Sequence, residues 1–439
     1  MHILIIFFFS SFGLFIGPLL IGVESSGVWA FTVLAVSILG MLRAMSKRYS
    51  YLSFEIMVFI ISSVYITAAI TDYALFGNTK QFSVDYLVWI GMIGSLFLIA
   101  YTLTILSATI PPLHAERNVR NRADHKAIFY IAMLFSALGF IYYVRSAGEL
   151  AAAAYLSRSE IYQNKSLALD LIKLILPISL LISWIARRKS GILVSNFLNI
   201  LTIGMTLYFI GFEVLIFGDR RISLSLILAL VILFFHDRKI NFVWLLPLVP
   251  LAMGAVLFGY FRNQGAVNFD SILSFLSAAR LLNPTNTEFG AFHIVGRTLF
   301  EQPTSELMDL TLFAAPAMLI PRHIYPDRPE APSIEFVRNH FTEIYNSGGG
   351  LAYNLLIEFF QNFWYFGPLI LGASLAYFLV AFSRMRESAH YLYFIIMWNT
   401  LFCMRFDVVS LLRSIVISSV IFFIIFYISR ILIKSSADY

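Results

Sequence analysis

Arginines at the mouths of apolar runs are the residues of this sequence best suited to chemistry. The stretch from Phe261 to Gly350 is the only long one without an apolar segment of membrane length. It carries Arg262, Arg280, Glu288, His293, Arg297, Arg322, His323, Asp327, Arg328 and Arg338. Elsewhere Arg158, the turn Gly218-Asp219-Arg220-Arg221 and the turn Met404-Arg405-Phe406-Asp407 border apolar runs. A guanidinium stays ionised when partly desolvated and can recognise two phosphate oxygens at once. Charges at the rim of hydrocarbon are costly unless they snorkel or meet an anion. Snorkelling explains one arginine pair as readily as a ligand does. Arg158, the Arg220-Arg221 pair, Arg262 and Arg405 come from four different loops at one level of the membrane, and together they point to an anionic headgroup, a lipid phosphate or diphosphate. Arg322 is a further candidate.

Proton-handling groups stand among these cations. Thr285 with Glu288 three residues on fits a capping box, so Glu288 is either a helix N-terminal carboxylate or a functional one. The amphipathic run from Ala291 to Phe300 that follows reads as an interfacial helix. Pro321-Arg322-His323-Ile324-Tyr325-Pro326-Asp327-Arg328-Pro329 has three prolines in nine residues, which excludes regular helix and fixes a rigid turn. Such a turn could hold Arg322, His323 and Asp327 in set directions, or could be a structural knot closed by an Asp327–Arg328 pair. His323 has a reference pKa near working pH and could serve as a base. Gly348-Gly349-Gly350 could act as a hinge or a plain linker. Glu358, among Leu356, Ile357, Phe359 and Phe360, is expensive unless paired or facing a cavity, with an Arg partner as the plainer alternative.

The elements that must position these groups follow from composition. With 59% hydrophobic and 13% charged residues in 439, the chain carries about half the charge of an ordinary soluble domain and reads as a polytopic membrane protein. The single Cys403 leaves neither a disulfide framework nor a thiolate metal cluster available. A net charge of +6 here reflects loop placement rather than nucleic-acid binding. Apolar runs near residues 2–23, 27–42, 51–70, 86–108, 127–144, 166–186, 192–217, 222–236, 240–260, 353–382, 389–404 and 411–433 predict roughly twelve transmembrane helices. The first lacks a basic leader and a cleavage site and is expected to be a retained helix. The division is a bundle over 1–260, a polar cap over 261–352, and a second bundle over 353–439.

Basic clusters recur in every second loop: Arg43, Lys47 and Arg48; Arg117, Arg120, Arg122 and Lys126; Arg187, Arg188 and Lys189; Arg238 and Lys239; Arg384 and Arg386; Arg430 and Lys434. Short loops decide orientation, so this alternation puts both termini in the cytoplasm and the arginine-rich cap outside. Lys173 falls within a span. There is no Gly-rich phosphate loop ending in Lys-Ser/Thr, no His-Glu-x-x-His and no Gly-x-Ser-x-Gly. An Asp-x-Asp or Glu-x-Asp metal pair is likewise missing from the outer loops, and no cofactor is expected.

Taken in order, Arg158-Ser159, Gly218-Asp219-Arg220-Arg221, Arg262, Thr287-Glu288-Phe289-Gly290, Ile320-Pro321 through Arg328-Pro329 and Ile357-Glu358 through Phe366-Gly367 resemble the Wzy-type oligosaccharide repeat-unit polymerases, which make O-antigen and enterobacterial common antigen. The resemblance runs from about Arg145 to about Leu379. It implies an all-α, GT-C-like membrane fold of about twelve helices with one large periplasmic loop containing short interfacial helices. It implies a metal-independent glycosyltransferase of the bacterial inner membrane, acting at its periplasmic face. Such enzymes move a growing glycan from undecaprenyl diphosphate to the non-reducing end of a new lipid-linked repeat unit, in some cases beside a chain-length regulator. On this resemblance Arg158, Arg220, Arg221, Arg262 and Arg322 would hold the diphosphate, and Glu288, His323 and Glu358 compete to accept the proton. The related O-antigen ligases carry a His where this chain has Tyr353-Asn354. A ligase and a lipid-linked oligosaccharide flippase remain the alternatives.

Overall fold

The computed structural model describes residues 23–47, 49, 53–76, 82–108, 122–152, 167–190, 196–213, 220–235, 290–301, 311–320, 324–346, 353–384 and 390–437. In lipid each backbone N–H and C=O must find its partner within the segment, so apolar runs become helices. The helices are α1 Val23–Ser46, α2 Phe54–Phe76, α3 Val84–Ser107, α4 Arg122–Ala152, α5 Leu167–Ser190, α6 Asn196–Phe212, α7 Arg220–Phe235, α8 Gly290–Glu301, α9 Thr311–Leu319, α10 Pro332–His340, α11 Thr342–Asn346, α12 Leu355–Phe363, α13 Phe366–Arg384, α14 His390–Thr400 and α15 Val408–Ala437. A 3-10 turn, Cys403–Arg405, precedes α15. Among the described residues, five segments are long and apolar enough to cross a membrane: Phe54–Thr71, Val84–Ser107, Asp124–Ser146, Phe366–Ser383 and Val408–Ile433. Shorter apolar helices lie at Leu34–Ser46, Phe197–Phe212 and Ile222–Phe235. This is the architecture of an all-helical, multi-pass membrane protein.

Each expected span within the described residues is helical, with two departures. The run 353–382 is not one helix: α12 ends at Trp364, whose φ of 54° breaks the chain direction, and α13 restarts at Phe366. Gly367 permits the corner, because a Cβ there would stand 1.9 Å from the Phe359 carbonyl oxygen. The run 389–404 yields only the 11 residues of α14 before the 3-10 turn. At 1.5 Å per residue that is about 17 Å, roughly half the hydrocarbon thickness. The expected span at 240–260, and all but Val23 of the one at 2–23, lie outside the described residues.

Small and hydroxylic residues bring the helices together. Gly372 of α13 lies against α3 so closely that a Cβ would be 2.3 Å from the Phe97 carbonyl oxygen. Ser136 of α4 donates to Ser179 of α5 at 3.0 Å. Ser63, Thr67, Thr71 and Ser95 return their hydroxyls to carbonyls four residues back, which makes them tolerable inside apolar helices.

The contacts separate two ends of the bundle. At one end Tyr101 of α3 donates to the Glu55 carbonyl of α2 at 2.7 Å, and His125 of α4 meets Tyr391 of α14 at 2.8 Å. At the other, α8 meets Ala69 of α2 and Tyr86 of α3, and α12 meets the start of α15. Residues that the charge alternation assigns to the outer side meet one another, as do those assigned to the inner side. The described segments of the cap also share the bundle's hydrophobic core: Phe292, Val295, Phe336 and Val337 are buried in the same cluster as Tyr86, Ile90 and Phe97.

Candidate functional site

Of the three groups expected to compete for the proton, the structure describes Glu358, and a network surrounds it. It sits in the first turn of α12 and is 1% exposed. One carboxylate oxygen accepts the Val408 N–H at 2.8 Å, and the other accepts from Thr311 at 3.5 Å. Val408 is the first residue of α15, so Glu358 occupies the electropositive end of that helix. Beside it Asp407 caps the same helix, accepting from Ser410 N–H at 2.5 Å and from Ser333 N–H of α10 at 3.4 Å. Asn362, one turn along α12, donates to Thr311 at 2.9 Å and accepts the Leu312 N–H at 3.3 Å.

Glu358 lies outside the five long spans, and burial outweighs its hydrogen bonds. Desolvation, with the Asp407 carboxylate beside it, raises its pKa to about 8 although the Val408 amide pulls the other way. The carboxyl therefore carries its proton at neutral pH. The partners that hold the carboxylate oxygens in this network are the Val408 amide and the Thr311 hydroxyl.

In the described part of the proline-rich turn, for which an Asp327–Arg328 pair is one of two readings, Arg328 binds backbone carbonyls. Arg328 donates to the carbonyls of Met318 and Ile320, the latter at 3.0 Å, so it caps the C-terminal end of α9. Asp327 is exposed. Residues 324–330 are non-helical, as three prolines require.

Between the end of α2 and the start of α3, α8 seats His293 with no exposed surface. Its Nδ1 shares a hydrogen bond of 3.0 Å with the Tyr86 hydroxyl, and Nε2 accepts the Ala69 N–H at 3.3 Å. Phe82 and Phe292 flank the ring edge to face. Burial drives its pKa down to about 3, so this imidazole stays neutral. Gly296 lets α8 approach, since a Cβ would fall 2.7 Å from the Tyr86 oxygen. Asn354 caps α12 by accepting from Leu356 and Ile357 N–H at 3.0 and 3.2 Å, and its amide reaches the Phe292 carbonyl at 3.5 Å. Asn354 therefore serves as a helix cap.

A third group lies where α4, α5 and α6 meet at the cap end. Lys173 Nζ is 3.0 Å from Glu213 Oε1 and donates to Oε2 at 3.1 Å, and Tyr143 donates to Oε1 at 2.8 Å. The three are 6%, 0% and 0% exposed. Tyr143 stands 18 residues along α4 from His125, a rise of about 27 Å, which puts the pair at the cap end.

Arg220 and Arg221 are the first two residues of α7, at this same end, and only their backbone is described. Ser223 reaches back to the Ile210 carbonyl of α6 at 3.4 Å. Arg158, Arg262, Glu288, Arg322 and His323 lie outside the described residues. Glu213 and the docking role of His293 went unread in the sequence; an acid closing an apolar run was the one signal for Glu213. No protein-family model matches the chain, and neither a curated protein nor a solved structure matches it.

Proposed function

We propose that this chain polymerises lipid-linked oligosaccharides, transferring a growing glycan from undecaprenyl diphosphate to the non-reducing end of a new lipid-linked repeat unit. The observation that carries the reading is the gathering of polar machinery at one end of an apolar bundle. The cap helices, the Glu358–Asp407 network, the Lys173–Glu213 pair and the arginine-led start of α7 all sit there. A transporter would instead need its charged groups around a cavity at the bilayer midplane. The GT-C-like, twelve-helix arrangement and the periplasmic placement belong to this proposal.

In the reaction an acceptor sugar hydroxyl attacks the anomeric carbon of the growing chain. A new C–O bond forms, the bond to the diphosphate breaks, and undecaprenyl diphosphate leaves with the bonding pair. Negative charge grows on the leaving group, and fixed guanidinium groups stabilise it most in the transition state. Arg158, Arg220, Arg221 and Arg262 take that role, with Arg322 as a further candidate. The hydroxyl proton passes to Glu288 or His323. Glu358, whose two oxygens are engaged by Val408 and Thr311, serves better to tie α12 to α9 and α15 than to take that proton.

Arg220→Ala or Arg262→Ala should abolish long-chain polymer while the protein remains in the membrane, read as the glycan ladder on gels. Wild-type chain length in both variants would remove the diphosphate clamp. Loss of the gene separates the related readings: single capped repeats accumulate without a polymerase, unattached long chains without a ligase.

A further inference from the structure

Toward the end of the bundle remote from the cap, α5, α6 and α7 leave a groove of about 560 Å³ between them. Trp184 of α5 joins the three helices there. Its Nε1 donates to Thr206 of α6 at 3.3 Å, and its ring meets Phe234 of α7 edge to face at 5.4 Å. It stands 11 residues along α5 from Lys173, about 17 Å away from the cap. Leu207 and Ile210 of α6, with Ile227 and Val231 of α7, line the walls. Thr206 also donates to the Thr202 carbonyl at 2.7 Å, so the polar atoms of the lining bind within the protein. A void this large is foreign to a packed interior, and an apolar one does not hold water. Leu207 and Phe234 are 64% and 44% exposed, so the groove opens along the helix sides, where a membrane places hydrocarbon.

Positive charge stands at the head of this groove. Arg187, one turn beyond Trp184 toward the end of α5, holds its guanidinium 5.1 Å from the centre of the Trp184 ring. Arg188 and Lys189 follow in the same last turn. An apolar groove with cations at one end complements a molecule with hydrocarbon at one end and negative charge at the other. We propose that the groove binds an anionic phospholipid of the leaflet remote from the cap, with one acyl chain against Trp184 between α6 and α7 and the phosphate on Arg187. A guanidinium takes two phosphate oxygens at once, and basic sites between transmembrane helices recognise anionic headgroups. This lipid takes no part in glycosyl transfer, and its site stands whether or not the chain is a polymerase.

The test uses the full-length protein in detergent and phosphatidylglycerol carrying a photoreactive diazirine in one acyl chain. Irradiation should label peptides covering residues 203–210 and 227–235. Unlabelled phosphatidylglycerol should compete about tenfold to a hundredfold better than phosphatidylcholine with the same chains, the range expected for hydrogen bonds to a charged group. Arg187→Gln should remove that difference between the two lipids and leave the chain labelling in place. Leu207→Phe, which adds bulk at the exposed rim, should weaken both lipids alike. If that variant fails to fold, Val231→Phe serves in its place and is read the same way. Equal competition by the two lipids in the unaltered protein, or an unchanged preference in Arg187→Gln, overturns the headgroup site. Labelling spread evenly over the apolar helices, the pattern of bulk lipid, overturns the groove. Displacement of the label by undecaprenyl diphosphate at a lower concentration than by phosphatidylglycerol would give the groove to the glycan carrier and overturn the assignment. An unlabelled groove, with Leu207→Cys forming a disulfide to a cysteine placed within residues 240–260, would give it to the chain itself and overturn the assignment as well.

Discussion

Two buried glutamates at the cap end of the bundle meet the same problem by opposite means. Glu213, with no exposure, faces Lys173 at 3.0 Å with Tyr143 at 2.8 Å. Glu358, at 1% exposure, has the α15 N-terminus and a threonine hydroxyl, and with its pKa raised to about 8 it retains a proton. The first solution binds three helices through opposite charge and is intolerant of losing one partner. The second spreads the task over dipoles and a proton, and its strength depends on pH. The difference separates a part built for fixed geometry from one that can give up its charge.

The comparison is tested most severely by removing one partner. Lys173→Met should cost about 3–5 kcal/mol of stability, because it leaves a buried carboxylate without its cation. Adding Glu213→Gln should recover most of that loss, and both are read from thermal unfolding in detergent. If the single variant costs no more than an ordinary hydrogen bond, the two carboxyls are not solved differently.

Next in size is a pH effect. Between about 4.5 and about 8 the folded protein holds a proton on Glu358 that the unfolded chain has released. Its contribution is therefore fully present below pH 4.5, falls as pH rises and is gone above about 8. His293 works in the other direction. Held neutral with a pKa near 3 against an ordinary 6.5, it favours folding above pH 6.5 and loses that contribution as pH falls below. Glu358→Gln should abolish the decline toward pH 8 and leave the acid limb of the stability profile in place. The smallest effect is expected from Thr311→Val, about 1 kcal/mol, since it removes one long hydrogen bond to Glu358 and the shorter one from Asn362.

Much of this was legible in the chain. Apolar runs place the helices because lipid leaves the backbone no other choice. The alternating basic clusters sort the helix ends, and the contacts at His293 and Tyr391 group the ends the same way. The amphipathic run after Glu288 does form α8, and the three prolines do interrupt helix. The break at Trp364 was hidden, since no proline marks it and hydropathy is continuous across it; only the close approach at Gly367 explains it. The Lys173–Glu213 pair joins residues 40 apart, and His293 to Tyr86 spans 207. Such pairings follow from how helices pack, which periodicity along one helix does not encode. Glu358 reads in the sequence as an acid that is expensive unless paired, and the amide at the head of α15 and the Thr311 hydroxyl are partners that periodicity could not name.

The central claim, that arginines at the cap end hold a lipid diphosphate while a glycan is extended, is tested most directly by purified protein in detergent supplied with undecaprenyl-diphosphate-linked repeat units. The account predicts a ladder of polymer from the unaltered protein and only starting repeats from the Arg220→Ala/Arg221→Ala double variant. A full ladder from that variant, or none from the unaltered protein under conditions where it binds the substrate, would contradict it.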